Sequence, residues 1–454
     1  MSRRNMVLLW PVGPDWEPGA QGSISEDDTV TRYLAMVALL MAIALSGCEE
    51  TAGPPPGPPP GKGGKMTTAT FGSDLEFLQK HTDVVVLGGG TAQVAVVPKY
   101  QGRVMTSTAE GADGMSFGWI NRKLIASGER QPQINALGGE ERMWLGPEGG
   151  QFSIFFKPGT KLEDGKFPFK DWQTPECIDW GGWEVVKQDA GSIDFRKEIE
   201  LVNFSGTRFK LTAERTVRVL TPADIKKHFG VDIPGAVKAV AFESDNRITN
   251  TGDGAWTKET GALSIWILCM FNPSPTTTVV IPFVDGPEEE LGPIVNDAYF
   301  GKVPEDRLLT RDGVIFFKAD GKKRGKIGLS PRRAKPILGS YDAANRVLTL
   351  ANYTRPEGAT DYVNSMWEIQ KEPFKGDVVN SYNDGPTPAG PPLGPFYELE
   401  SSSPAAFLKP GETMQHVHRT MHLTGSEGDL QLIAQLTLGV GIDEIKNVFR
   451  QSEK

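Results

Sequence analysis

Three of the five histidines of this 454-residue chain lie in one segment, MQHVHRTMH at 414–422. His416, His418 and His422 occupy even-numbered positions, and side chains of a β-strand alternate between its two faces. If the segment is a strand, the three imidazoles therefore share one face. Neighbouring imidazoles can bind a transition metal, and a single histidine can transfer a proton. The segment predicts either a metal site or a proton-transfer site.

The spacing of the third histidine narrows these alternatives. His422 lies about 13 Å along an extended strand from His418, too far for three imidazoles to bind one metal directly. A metal site would need a carboxylate from elsewhere, such as Glu398 or Glu140. Histidines that only hydrogen-bond neighbouring strands are a third alternative. We favour a polar pocket in which His416 or His418 acts as an acid, and we predict no metal or other cofactor.

Glu398 and Glu400, in the segment YELES, form a second candidate site because they share one face of a predicted strand. A carboxyl group beside Phe396 and Leu399 would have a raised pKa, which suits general acid–base chemistry. The alternative is a pair of acids on a solvated strand face. The sequence alone leaves open which of the two carboxyl groups is the base.

The segment GGEERMWLGPEGGQ is the densest cluster of polar and aromatic residues. On a strand, Glu140, Arg142 and Trp144 would share a face, where charged groups could hydrogen-bond sugar hydroxyls and the indole could stack on a pyranose. Glu148 follows in a glycine-flanked loop that a ligand could approach closely. The alternative is a structural salt bridge beside a core tryptophan.

The elements that position these residues are mainly strands. From residue 74 onward, segments such as SIDFRKEIELVN and FKLTAERTVRVL alternate apolar and polar residues, whereas TPADIKKHF shows a short capped helix. We predict one all-β domain over 74–454, a large two-sheet supersandwich with a few short helices. The charged segment KKRGK at 322–326 is interpreted as a solvated hairpin tip. A net charge of −9 argues against a nucleic-acid partner.

The first 73 residues are predicted to be a targeting and anchoring region. The apolar run ending in LSGC resembles a signal peptide with a bacterial lipobox, so residues 1–47 form the signal region and Cys48 the lipidated residue. Residues 1–29 are interpreted as an over-called start. The Pro/Gly-rich segment within 48–73 is a tether. We expect a lipid-anchored protein of the bacterial cell envelope, periplasmic or at the cell surface.

Replacing Cys48 with serine is therefore expected to release the protein from membranes, because serine cannot carry the thioether-linked lipid. Cell fractionation followed by immunoblotting measures the change, with Cys177→Ser as the matched control. An unchanged membrane fraction for Cys48→Ser would contradict the predicted anchor.

Three segments resemble the galactose-mutarotase-type (aldose 1-epimerase-type) domain. FGWINRKLIASG and INALGGEERMWLGPEGG are similar to its front end, and FYELESSSPAAFLKPGETMQH is similar to its back end. The chain also resembles a set of bacterial lipoproteins of unassigned function with this fold. The resemblance implies a supersandwich, a sugar pocket that includes Asn121 and Arg122, and a general base within YELES. It departs from the family where a catalytic histidine is replaced by Leu137 or Gly138.

Together these observations predict a carbohydrate-acting envelope lipoprotein, with chemistry at a sugar anomeric centre as an epimerase, lyase or glycoside hydrolase. A non-catalytic carbohydrate-binding lipoprotein is the first alternative, and a metal-dependent enzyme using the HxH strand is the second. We expect the three strands to converge on one concave face. The predicted catalytic residues are Glu398, Glu400, His416 and His418, and the predicted substrate-binding residues are Glu140, Arg142, Trp144, Glu148, Asn121 and Arg122.

Overall fold

The structure is a computed structural model that describes residues 69–386 and 392–449. The predicted signal region, Cys48 and most of the tether lie outside these residues. The described strands are β1 (Val85–Gly89), β2 (Ala92–Val97), β3 (Arg103–Thr108), β4 (Arg142–Gly146), β5 (Glu184–Gln188), β6 (Ser192–Val202), β7 (Arg208–Val219), β8 (Lys238–Asn250), β9 (Ser264–Phe271), β10 (Thr277–Pro282), β11 (Leu308–Arg311), β12 (Val314–Lys318), β13 (Gly325–Leu329), β14 (Ile337–Asp342), β15 (Val347–Tyr353), β16 (Val379–Asn383), β17 (Tyr397–Ser402) and β18 (Thr413–Thr424). The described α-helices are α1 (Phe71–His81), α2 (Arg122–Ser127), α3 (Glu176–Asp179), α4 (Pro222–Phe229), α5 (Glu288–Leu291), α6 (Glu427–Leu438) and α7 (Ile442–Asn447).

Two large antiparallel sheets form the body of the domain, which confirms the predicted all-β, two-sheet class. The ten-stranded sheet has the order β11-β12-β10-β14-β15-β18-β8-β7-β6-β5, and the five-stranded sheet has the order β13-β16-β17-β9-β4. A third sheet of three strands, β1-β2-β3, joins the start of β4 through a bridge between Val104 and Glu141. The histidine strand β18 therefore lies at the middle of the larger sheet, and the YELES strand β17 at the middle of the smaller one.

The main core lies between the two large sheets. Ile267 of β9 and Leu399 of β17 pack in one cluster with Phe242 of β8, which belongs to the larger sheet. The outer face of the larger sheet is buried separately, where Met421 and Leu423 of β18 pack with residues of the C-terminal helices α6 and α7. From His416 to Leu423, both faces of β18 are therefore largely removed from water, although its sequence alternates between apolar and polar residues.

The helices follow local capping signals. Thr221 and Asp224 form a capping box at the start of α4, and Pro222 occupies its first turn, as predicted for this segment. Sequence reasoning missed α1, which begins at Phe71 inside the segment assigned to the tether. Because Phe71 and Leu78 are fully buried, the folded domain begins before residue 74. Among the described residues, none of the helices has the length and apolar character needed to cross a bilayer.

Candidate functional site

The outer face of the five-stranded sheet carries the paired carboxylates. Within β17, Leu399 and Ser401 face the core between the sheets, so Glu398 and Glu400 face away from it. Arg142 of β4 and Glu400 are both paired in register with Leu268 of β9, one on each side of that strand. Because their strands flank the same residue, the two charged groups share this face, as do Trp144 and Trp266.

Ion pairs hold both carboxylates. Arg142 donates from Nη2 to Glu398 Oε1 at 2.9 Å. Glu400 Oε2 accepts from Lys326 Nζ at 3.0 Å and from Trp266 Nε1 at 2.9 Å. All five side chains are buried, so these interactions are only weakly screened by water. The two carboxylates are therefore fixed in position by partners on three other strands, β4, β9 and β13.

A narrow cleft opens beside this network. Its volume is about 10 Å³, roughly the room for one water molecule. The lining residues are Gly146, Ser264, Trp266, Tyr299, Lys326, Val363, Ser365, Asp377, Asn380 and Ser402. Tyr299 donates its hydroxyl to Asp377 at 2.7 Å, and Asn296 donates to the same oxygen at 2.9 Å. The cleft thus combines two aromatic rings with several fixed polar groups.

Three carboxyl groups at the site, those of Glu148, Glu398 and Asp377, have pKa values raised by burial. Removal from water raises the pKa of Glu148 to about 7, and the positive charge of Lys326 opposes that rise. Removal from water also raises the pKa of Glu398, against the opposing effect of Arg142, and the nearby charge of Glu400 raises it further. Near neutral pH, Glu148 therefore exchanges between its protonated and ionised forms, as a general acid must.

Several buried polar atoms on this face have no hydrogen-bond partner among the described residues. They include Trp144 Nε1, Ser264 Oγ and a charged pair, Oε1 of Glu400, an acceptor, and Nη1 of Arg142, a donor. A buried polar atom without a partner costs roughly 1–3 kcal/mol, more when it is charged. A ligand with both a hydroxyl donor and an oxygen acceptor would satisfy the pair. Sugars carry these groups on adjacent carbons.

The raised pKa of Glu148 predicts a pH dependence of stability. The folded-state value exceeds the ordinary value of 4.5, so the folded chain binds this proton more tightly than the unfolded chain does. This contribution to the free energy of unfolding is full below about pH 4.5 and is lost as the pH rises through about 7. Glu148→Gln should reduce the pH dependence of the free energy of unfolding by close to one proton. The pH dependence due to Glu398 should remain.

Urea denaturation of wild type and Glu148→Gln between pH 5 and 8 measures this slope. Glu163→Gln serves as the control, because Glu163 is an exposed carboxylate in the 157–166 loop region. Identical slopes for wild type and Glu148→Gln would contradict the assigned pKa.

The prediction that the histidines share this site is wrong. The three imidazoles do share one face of β18, but that face points into the core between the sheets. His416 Nε2 and His418 Nδ1 each lie 2.8 Å from the Ser401 hydroxyl, on the core side of β17. The five-stranded sheet therefore separates the histidines from the carboxylates, because Ser401 has the opposite parity to Glu398 and Glu400.

The predicted role of His416 or His418 as an acid also finds no support in their pKa values. Burial lowers the pKa of His416 and of His418 to about 3, so both rings are neutral. Of the two carboxylates suggested to complete a metal site, Glu398 lies across the sheet, whereas Glu140 lies beside His422. The carboxylate grouped with His418 is that of Glu141. His416 and His418 belong to a buried polar network.

Glu140 does not share a face with Arg142, contrary to the sequence prediction. Its Oε1 accepts from Ser107 at 2.7 Å and lies 2.8 Å from His422 Nε2, both inside the core. The reason is local: β4 begins only at Arg142, so strand alternation does not extend back to residue 140. Trp144 does lie on the outer face, beneath the guanidinium of Arg142 at 4.8 Å, but it is almost fully buried.

The predicted sugar contacts at residues 121 and 122 are structural instead. Asn121 caps α2 by accepting from the Leu124 backbone, and Arg122 forms an ion pair with Asp74 of α1. The structure also explains why position 138 holds no histidine. Gly138 has φ +90°, and a β-carbon there would lie 2.2 Å from the carbonyl oxygen of Trp119. No side chain fits at this position.

Sequence reasoning missed four residues of the site. Lys326 was assigned to a solvated hairpin tip, yet it is buried in β13 and paired with Glu400. Trp266 lay in a continuous apolar run that carries no signal of a site. Tyr299 and Asp377 come from separate connections and meet only in three dimensions. The sequence did carry a signal for Lys326. The segment KIGL directly follows KKRG, and its alternation indicates that β13 already includes the last lysine of the charged segment.

A polar and aromatic cleft beside a buried carboxylate network, on the smaller sheet of a two-sheet antiparallel domain, is the class of site that the structure defines. A protein-family model described as "Family of unknown function (DUF6786)" matches residues 69–449, and the chain belongs to this family. None of the curated proteins compared with the chain matches it.

Several solved structures are similar to this one. The Slr1438 protein from Synechocystis is 13% identical, with 76% of this chain and 96% of that chain covered and a TM-score of 0.45. A galactose mutarotase-like protein from Lactobacillus casei is 9% identical, with 75% and 100% covered and a TM-score of 0.42. A putative aldose 1-epimerase from Escherichia coli K12 is 12% identical, with 76% and 99% covered and a TM-score of 0.42. Two of these proteins are described as galactose mutarotase-like or as a putative aldose 1-epimerase, the type of domain that the sequence motifs resemble.

Proposed function

We propose that the cleft binds a carbohydrate and transfers protons at its anomeric centre. The observation that carries this proposal is the unpartnered Oε1 of Glu400, a buried oxygen beside a cleft lined by Trp266 and Tyr299. A sugar hydroxyl supplies the missing donor, and the apolar face of a pyranose suits aromatic rings. Lys326 and Trp266 hold Glu400 through Oε2, which leaves Oε1 as the oxygen that accepts the proton in the proposed role of general base.

Glu148 is the proposed acid. Glu400 takes the proton from the anomeric hydroxyl, and the electron pair left on that oxygen forms the carbonyl bond. The bond between the anomeric carbon and the ring oxygen then breaks, and Glu148 gives its proton to the ring oxygen. Closure on the other face of the carbonyl reverses both transfers and yields the other anomer. Each carboxyl returns to its starting protonation state.

Binding requires the cleft to widen, because a pyranose ring is larger than the space for one water molecule. The lining residues Gly146, Val363 and Ser365 belong to connections or strand ends rather than to the middle of a strand. Val363 and Ser365 lie outside the strands, so we propose that their segment moves away from the sheet that carries Glu398 and Glu400. Proton transfer then takes place in a site that closes again around the ring.

A carbohydrate-binding protein without turnover is the second candidate. It is favoured by Gly138, which leaves no room for the histidine that mutarotase-type domains carry at this turn. In both cases we propose that the protein is held at the cell envelope through Cys48, on the basis of the lipobox-like LSGC and the tether that follows it.

Nuclear magnetic resonance of free sugars with the wild-type protein tests the proposal and separates the two candidates. Saturation-transfer difference spectra report binding, and magnetisation exchange between the α and β anomer signals reports turnover. A catalytic site is expected to give both for at least one sugar of a neutral and acidic panel. Binding without exchange identifies the second candidate, and neither effect with any sugar overturns the proposal.

A further inference from the structure

A second cluster of reactive side chains lies in the core, on the other face of the sheet from the cleft. Glu141, immediately before β4, meets Cys269 of β9 and His418 of β18. All three residues are fully buried. One possible ligand atom from each lies within 4.8 Å of the other two. A thiol, an imidazole and a carboxylate are the three side-chain groups that bind zinc.

We infer that Glu141, Cys269 and His418 form a zinc site that joins the two large sheets. The inference is independent of the carbohydrate proposal. Zinc binds nitrogen at about 2.0–2.1 Å and sulfur at about 2.3 Å, so a tetrahedral site places these two atoms about 3.5 Å apart. His418 Nε2 and Cys269 Sγ are 3.5 Å apart. The carboxylate has only to shift toward this pair to complete three protein ligands.

The surroundings of the three groups support this assignment. Glu141 Oε2 is buried and has no hydrogen-bond partner among the described residues, so it is open to a cation. Its other oxygen accepts from Arg215 Nη2 at 2.8 Å. The Ser401 hydroxyl lies 2.8 Å from His418 Nδ1, which leaves Nε2 directed at Cys269. Metal ligands in proteins are oriented by outer hydrogen bonds of this kind.

Zinc binding here requires the Cys269 thiol to lose its proton to solvent, so that a thiolate forms the bond to the metal. The thiolate and the Glu141 carboxylate then supply two negative charges to the ion, and Glu141 shares its charge with Arg215. Because Cys269 belongs to the smaller sheet and His418 to the larger one, the ion would tie the sheets together. One coordination position remains for a water molecule.

Metal analysis of the purified full chain tests the inference. After expression with added zinc and exhaustive dialysis, mass spectrometry should find close to one zinc per chain. Unfolding with a chelator, followed by refolding with Co²⁺, should give the charge-transfer absorption of a cobalt thiolate. A natively folded protein that contains no zinc and shows no cobalt–thiolate band after refolding overturns the inference, and identifies the cluster as a hydrogen-bonded polar core.

Variants assign the metal to these residues. Cys269→Ser and His418→Gln should each reduce the bound metal to well below one ion per chain, whereas Cys177→Ser, at the second free thiol, should not. Ser401→Ala should weaken metal affinity by about 10–100-fold. Circular dichroism shows which variants fold. The cobalt spectrum of the wild-type protein tests the site even if no variant folds. Unchanged metal content in folded Cys269→Ser and His418→Gln also overturns the assignment.

Discussion

Glu400→Gln is expected to lower the rate of anomeric exchange by about 10²–10⁴-fold, the usual contribution of a positioned general base. Glutamine keeps an oxygen that can accept from Lys326 and Trp266, so the side chain should stay in place. Its amide cannot take a proton from a sugar hydroxyl. Sugar binding should therefore persist while turnover is lost.

Exchange spectroscopy with the sugar that wild type turns over fastest gives the rate, and saturation-transfer spectra give the binding. Glu198→Gln is the matched control, since Glu198 lies exposed on β6 and should leave both quantities unchanged. Glu398→Gln should cause a smaller loss, because Arg142 already occupies one of its oxygens. Full turnover in a folded Glu400→Gln protein would show that Glu400 is not the base.

Arg215→Met is expected to have the largest effect on stability. Arg215 and Glu141 form an ion pair at 2.8 Å, and both side chains are completely buried. Loss of one partner leaves a buried charge without compensation, which typically costs about 3–5 kcal/mol. The neighbouring hydrogen bonds from Arg215 to Gly102 and Asn246 are lost as well.

Chemical denaturation measures the free energy of unfolding of this variant. Arg196→Met is the matched control, because Arg196 pairs with Glu198 at the surface, where ion pairs contribute about 0–1 kcal/mol. Arg215→Met combined with Glu141→Gln should recover part of the loss, since the orphaned carboxylate becomes neutral. A single Arg215→Met variant as stable as wild type would contradict the assigned role of the pair.

The cleft and the buried network depend on the same strand. β17 carries Ser402, which lines the cleft, and the neighbouring Glu398 and Glu400 on its outer face, and it presents Ser401 to His416 and His418 in the core. A change in the core that moves β17 would therefore also move the carboxylates. This coupling is why the stability and turnover of each variant need to be measured on the same protein.

The sequence by itself determined several strands and, within them, which residues share a face; it failed for Glu140, which lies before β4 begins. Period-two alternation identifies β6, β7 and β8, and the Thr-Pro start identifies α4. Equal parity correctly places the three histidines on one face of β18, and the two glutamates on one face of β17. These features depend on local backbone geometry, which neighbouring residues set. The all-β, two-sheet class follows from the same periodicity.

Only the tertiary structure decided where those faces point. In a two-sheet domain with helices and loops outside, both faces of a central strand are covered, so a polar face can border either a cleft or the core. Pairing of β17 with β9 and β16 turns the glutamates toward Arg142 and Lys326, which lie far away in the sequence. Packing of β18 against β17 encloses the histidines. Strand parity fixes which residues lie together, whereas sheet packing fixes what they face, because burial depends on contacts between distant segments.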